Sequence, residues 1–100
     1  MILGLSAHDQ ELILKVFPSY SEIKEVIVFG SRAMGNYKDG SDIDLALKGN
    51  VSHSTLLQLK DKLEEELPLP YQFDLVVYDQ IDSQDLKNHI DTFGKVIYKI

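Results

Sequence analysis

The chain has 100 residues, 44% of them hydrophobic and 26% charged, and no cysteine. This is the length and balance of one compact globular domain over residues 1–100, with room for one core and without a thiolate metal site or disulfide framework. A formal charge of −6 gives no electrostatic footprint for unaided binding along nucleic-acid phosphates, which require clustered Lys and Arg. "MILGLSAHDQ" lacks a basic leading region, and no run approaches the roughly 18 apolar residues of a membrane span, so a soluble, cytoplasmic chain is expected.

"SAHDQELILKVF" predicts a first helix: Ser6 followed by Asp9 forms a capping-box-like start, Leu12, Ile13, Val16 and Phe17 recur at helical spacing, and Pro18 stops it. "EVIVF", 25–29, is β-branched and bounded by Gly30, the pattern of a buried strand. "SRAMG" predicts a short helix, "NYKDGS" a turn at Asp39-Gly40, and "DIDLAL", 42–47, the second strand. "SHSTLLQLKDKLEEEL" lines up Leu56, Leu59, Leu63 and Leu67 on one helical face and ends at Pro68 and Pro70. "QFDLVVY", 72–78, is the third strand. "DSQDLKNHIDTFG" is a last helix capped by Asp82 or Ser83, with Leu86, Ile90 and Phe93 as its buried stripe and Gly94 as its stop, before a closing strand "KVIYKI". The alternation predicts an α/β-type (α+β) domain, a small mixed sheet covered by helices.

Side chains alternate faces along a strand, so Asp42 and Asp44 point the same way about 7 Å apart, while Ile43, Leu45 and Leu47 face the core. Asp74 interrupts the third strand in the same fashion. Three carboxylates brought together raise one another's pKa and lose hydration, and a divalent cation reverses that cost. Mg²⁺ takes oxygen ligands, typically one or two protein carboxylates with substrate phosphates, so Asp-x-Asp on one strand plus Asp on a neighbour suits a two-metal cradle. Glycine at Gly30 lets backbone approach a ligand, Ser31 adds a hydroxyl and free N–H groups for a phosphate, and Arg32 would add a charge-assisted contact to the same anion. Gly-Ser alone is commonly just a turn, and Asp-x-Asp alone a solvated strand end. The specificity lies in the combination.

"FGSRAMG" followed by "SDIDLAL" resembles the signature of the nucleotidyltransferase superfamily that includes DNA polymerase beta, and most closely its minimal nucleotidyltransferases, in which Gly-Ser and Asp-x-Asp are separated by ten residues as Ser31 and Asp42 are here. The resemblance covers residues 25–78. It implies that Gly30 and Ser31 hold a nucleoside triphosphate, that Asp42 and Asp44 ligate two Mg²⁺ ions, and that Asp74 binds the ion activating the acceptor. Met34 stands where many relatives carry a basic residue, so no phosphate contact is assigned there. The resemblance further implies transfer of AMP from ATP to a hydroxyl on a small helical HEPN-type protein, as the antitoxin of a toxin–antitoxin pair. A partner-binding module that has lost turnover, and an α/β interaction domain with a fortuitous motif, are the competing expectations.

His8, His53 and His89 lie far apart without i, i+4 pairing and are expected in surface or capping roles. Glu64, Glu65 and Glu66 read as a solvated helix end, and Tyr37 and Lys38 as turn residues.

Overall fold

The computed structural model describes residues 2–100. Helix α1 is Ala7–Leu14, and Ser6 caps it by accepting the Asp9 N–H at 3.1 Å. A 3-10 turn, Phe17–Ser19, comes next around Pro18. Strand β1 is Glu25–Phe29, α2 is the single turn Ser31–Met34, and β2 is Ile43–Lys48. Helix α3, His53–Asp61, loosens into a π turn over Lys62–Glu66, and β3 is Phe73–Val77. Helix α4, Gln84–Phe93, is capped by Ser83 and leads into β4, Lys95–Lys99.

The four strands form one mixed sheet in the order β3-β2-β1-β4. β1 is antiparallel to both β2 and β4, and β2 is parallel to β3. The sheet has two unequal faces because strand residues alternate sides. Val26, Val28, Ile43, Leu45, Leu47, Phe73 and Val77 point to one side, where Ile13, Phe17, Leu59 and Leu63 complete the main core. The opposite face carries a smaller cluster of Ile27, Phe29, Ala46 and Ile90, so α4 covers only part of it. Asp44 and Asp74 belong to this second face, as alternation from the core residues requires. No helix among the described residues is long and apolar enough to cross a membrane.

Four local expectations are corrected. Helical geometry stops at Leu14, before Val16 and Phe17, although both side chains are buried. The helix expected to run to Leu67 widens at Lys62, where Glu64 is drawn towards the sheet. Its carboxylate accepts the Phe73 N–H at 2.7 Å and pairs with Lys60 Nζ at 2.9 Å, while Lys60 also donates to the Phe73 carbonyl. Glu64 is therefore not a solvated residue: with Lys60 it satisfies backbone groups on the open edge of β3, where an unpaired strand would invite association. Phe93, expected in the buried stripe of α4, is 45% exposed.

Candidate active site

Register brings the acidic residues together. Asp44 is the Cα partner of Asp74 across the parallel β2/β3 pair and of Phe29 across the antiparallel β1/β2 pair. Neighbouring strands lie about 4.8 Å apart, so the two carboxylates start from adjacent positions on one face. Asp42, one residue before β2, is exposed, as is Asp74 on the edge strand, whereas Asp44 between them is partly buried.

Burial is the main reason the Asp44 carboxyl is pushed up to about 6, and the negative charges of Asp74 and then Asp42 raise it further, against a smaller opposing pull from His89. Asp44 thus lies within the field of both other acids. Among the described residues, no three His, Cys, Asp or Glu side chains close into a metal cage by themselves. The donor set is nonetheless all oxygen and partly open. Mg²⁺ typically takes one or two protein carboxylates and completes its shell with phosphate and water, so these residues fit that ion.

The raised pKa gives Asp44 a defined effect on stability. An Asp whose folded-state pKa is raised contributes stability that is fully present below the unfolded value and lost as pH rises through the folded one. For Asp44 that window runs from 3.8 to about 6. Above it the ionised carboxylate works against the fold. Metal-free Asp44→Asn should thus be more stable than wild type above neutrality, by about 1 kcal/mol once the full shift is discounted for solvent screening. The two should converge when urea unfolding is repeated near pH 4. Equal or lower stability of the variant above neutrality would show that Asp44 is a structural carboxylate.

The Gly30–Ser31 corner lies beside this group because Gly30 comes directly after Phe29, the register partner of Asp44. Gly30 has φ 73° and ψ −155°, a left-handed, extended combination that side chains avoid. A β-carbon here would also collide with Asp44 Oδ2. The backbone angle therefore requires glycine, and a β-carbon would in addition displace the Asp44 carboxylate from the corner. The Gly30 carbonyl accepts the N–H groups of Ala33 and Met34, both at 3.1 Å, starting α2. Among the described residues, the N–H groups of Ser31 and Arg32 have no acceptor, as expected for the first turn of a helix.

Arg32 departs from its expected role as an anion ligand. It is 2% exposed, donating from Nε to the Ser41 carbonyl at 3.1 Å and from Nη1 to the Leu3 carbonyl at 2.8 Å. Its guanidinium carbon lies 4.9 Å from the Tyr71 ring centroid and 5.2 Å from that of Tyr37. The loop aromatic Tyr37 is thus engaged within the chain. A buried guanidinium spent on carbonyls and ring faces is a strut, and it ties α2 to the loop that ends at Asp42.

His89 also has a role that its sequence neighbourhood did not reveal. From α4, its Nε2 accepts the Gly30 N–H at 3.0 Å, across 59 residues of sequence.

Residues 11–100 match the family model described as polymerase beta, nucleotidyltransferase. A curated relative from Methanocaldococcus jannaschii, named "Putative protein adenylyltransferase MJ0604", is 33% identical over 66 residues, and the alignment covers 66% of this chain but only 60% of the relative. Among solved structures, a chain of a crystal structure of a toxin-antitoxin with AMP-PNP matches with a TM-score of 0.75 at 24% identity, covering 91% of this chain and 73% of that one. A chain in the structure of the tri-AMPylated Shewanella oneidensis HEPN toxin in complex with MNT antitoxin matches with a TM-score of 0.69 at 22% identity, covering 93% and 71% respectively. At these identities the structural likeness speaks for the fold. The family match extends from within α1 to the last strand and takes in Gly30, Ser31, Asp42, Asp44 and Asp74, so the chain belongs to the polymerase beta nucleotidyltransferase family.

Proposed function

We propose that the chain transfers AMP from ATP, with Mg²⁺, to a hydroxyl of a small helical partner protein of the HEPN type, acting as the antitoxin of the pair. The observation that carries this reading is the register of Asp44 with Asp74 beside the Gly30–Ser31 corner. The curated relative's name, and the toxin-antitoxin and AMPylated-toxin assemblies to which two structural neighbours belong, support the choice of nucleotide and acceptor.

Asp42 and Asp44 would hold both ions, with Asp74 sharing the one nearer the acceptor. Bound Mg²⁺ supplies charge neutralisation at the reacting phosphate and lowers the pKa of an oxygen nucleophile. Gly30 and Ser31 would fix the triphosphate against this group, which places the α-phosphorus for in-line attack. An oxygen of the acceptor forms a bond to that phosphorus, the bond to the β-phosphate oxygen breaks, and pyrophosphate leaves. Asp74, exposed on the edge strand, is the carboxylate suited to accept the departing hydroxyl proton. Nothing in this sequence of bonds requires a covalent enzyme intermediate.

The net charge disfavours a nucleic-acid acceptor, since −6 repels a phosphate backbone. Without its partner, any other hydroxyl would be positioned only by collision, forfeiting several kcal/mol that orientation supplies, roughly 7 or more in well-aligned cases. The isolated chain should therefore be nearly idle. Incubated with its cognate helical partner, ATP and Mg²⁺, it should add one or more AMP units to that partner, with tyrosine the expected site, as read by intact-protein and peptide mass spectrometry. Efficient tailing of free RNA by the isolated chain, with the partner unmodified, would overturn the assignment. Tight partner binding with no mass added would favour a binding module without turnover.

A further inference from the structure

We infer that His89 is a positioning residue for the Gly30–Ser31 corner, orienting the peptide on which the nucleotide is held. This rests on the nucleotidyl-transfer reading. The geometry has three parts. First, the Gly30 N–H donates to His89 Nε2 at 3.0 Å, a contact that spans the chain from α4 to the end of β1. Second, the ring is held by aromatic neighbours: its centroid is 6.1 Å from that of Phe29 in an edge-on arrangement and 5.4 Å from that of Phe93. This gives the half-exposed Phe93 a purpose, because it braces the imidazole instead of filling the core. Third, the peptide so fixed is sensitive. Gly30 stands at a positive φ with the Asp44 carboxylate against its α-carbon, so a rotation of the Phe29–Gly30 peptide would move the corner relative to the acidic group.

A glycine at such an angle has more backbone freedom than any other residue. An external acceptor on a packed helix removes that freedom. The bond also engages the Gly30 N–H within the chain. The contact that carries the inference is the one with Gly30.

Two substitutions separate the acceptor from the ring. His89→Phe keeps an aromatic between Phe29 and Phe93 and loses the acceptor, whereas the side-chain oxygen of His89→Gln reaches a position close to that of Nε2. In the nucleotide-free protein, hydrogen exchange of the Gly30 amide measured by NMR should be at least about tenfold slower in wild type and His89→Gln than in His89→Phe. In the transfer assay, His89→Phe should raise KM for the nucleotide about tenfold with kcat within about threefold, and His89→Gln should restore KM to within about threefold of wild type. An unprotected Gly30 amide in wild type, a wild-type KM in His89→Phe, or a His89→Gln as impaired as His89→Phe would each overturn the inference. If the wild-type chain transfers nothing, the transfer reading alone fails. The exchange rates, together with affinity for a non-hydrolysable ATP analogue in the presence of Mg²⁺, then decide the role of His89 by the same comparisons.

Discussion

Asp42→Asn and Asp74→Asn should each reduce AMP transfer by about a thousandfold, the equivalent of the several kcal/mol that an ion contributes to transition-state charge stabilisation. Neither should lower the melting temperature of the metal-free protein. Both side chains are exposed and neither belongs to the buried core, so an isosteric amide removes charge without opening a cavity. Each replacement also relieves repulsion felt at Asp44, whose carboxyl is raised by both neighbours. A readout that needs no acceptor is available: calorimetric titration with a non-hydrolysable ATP analogue should show Mg²⁺-dependent binding that weakens at least about tenfold in Asp42→Asn. Equal affinity with and without metal would exclude the cradle. Loss of folding in either variant would mark that residue as a structural carboxylate.

How much of this is legible in the sequence depends on the range of the interaction involved. The strand alternation that puts Asp44 opposite Leu45 is local, and the structure preserves it: Leu45 is fully buried in the main core, while Asp44 lies on the other face. The Ser6 and Ser83 caps are equally local and form as their spacing suggests. That Asp74 would stand level with Asp44 is an expectation from chemistry, because register between parallel strands depends on the whole crossover and not on either strand. The contacts that the sequence does not disclose are those whose signal is spread over distant residues of ordinary appearance. His89 meets Gly30 from 59 positions away, and no short spacing marks it as a cap. Glu64 sits in a run of three acids that looks solvated, yet the free edge of β3 gives one of them a backbone donor to satisfy. Arg32, next to Gly30 and Ser31, invites an anion contact by its neighbours alone. A charged side chain beside a phosphate-binding signature carries no local sign that it will be buried.

This buried arginine yields the second large effect: Arg32→Leu should destabilise the protein by about 3 kcal/mol or more, a substantial part of the roughly 5–15 kcal/mol typical of a domain. The side chain is among the largest fully buried ones, and the salt bridges found among the described residues, Lys60–Glu64 and Lys62–Glu66, do not involve it. Its charge is met by the carbonyls of Leu3 and Ser41 and by the faces of Tyr37 and Tyr71. Leucine would keep some of the volume but leave both carbonyls without that donor, each costing about 1–3 kcal/mol where water cannot replace it. It would also forfeit a desolvated cation–π contribution of about 2 kcal/mol. Arg32→Lys retains the charge, but a compact ammonium cannot reproduce the planar fork that reaches two segments and stacks between two rings, so it should lie between leucine and wild type. The same strut secures Ser41, the residue before Asp42, so Arg32→Lys should show faster amide exchange in the loop leading to Asp42 and weaker Mg²⁺-dependent nucleotide binding. Urea unfolding distinguishes this from direct anion contact. A phosphate ligand would lose affinity on substitution while stability stayed within about 0.5 kcal/mol, the range of ordinary surface changes, and that result for Arg32→Leu would return the residue to the nucleotide.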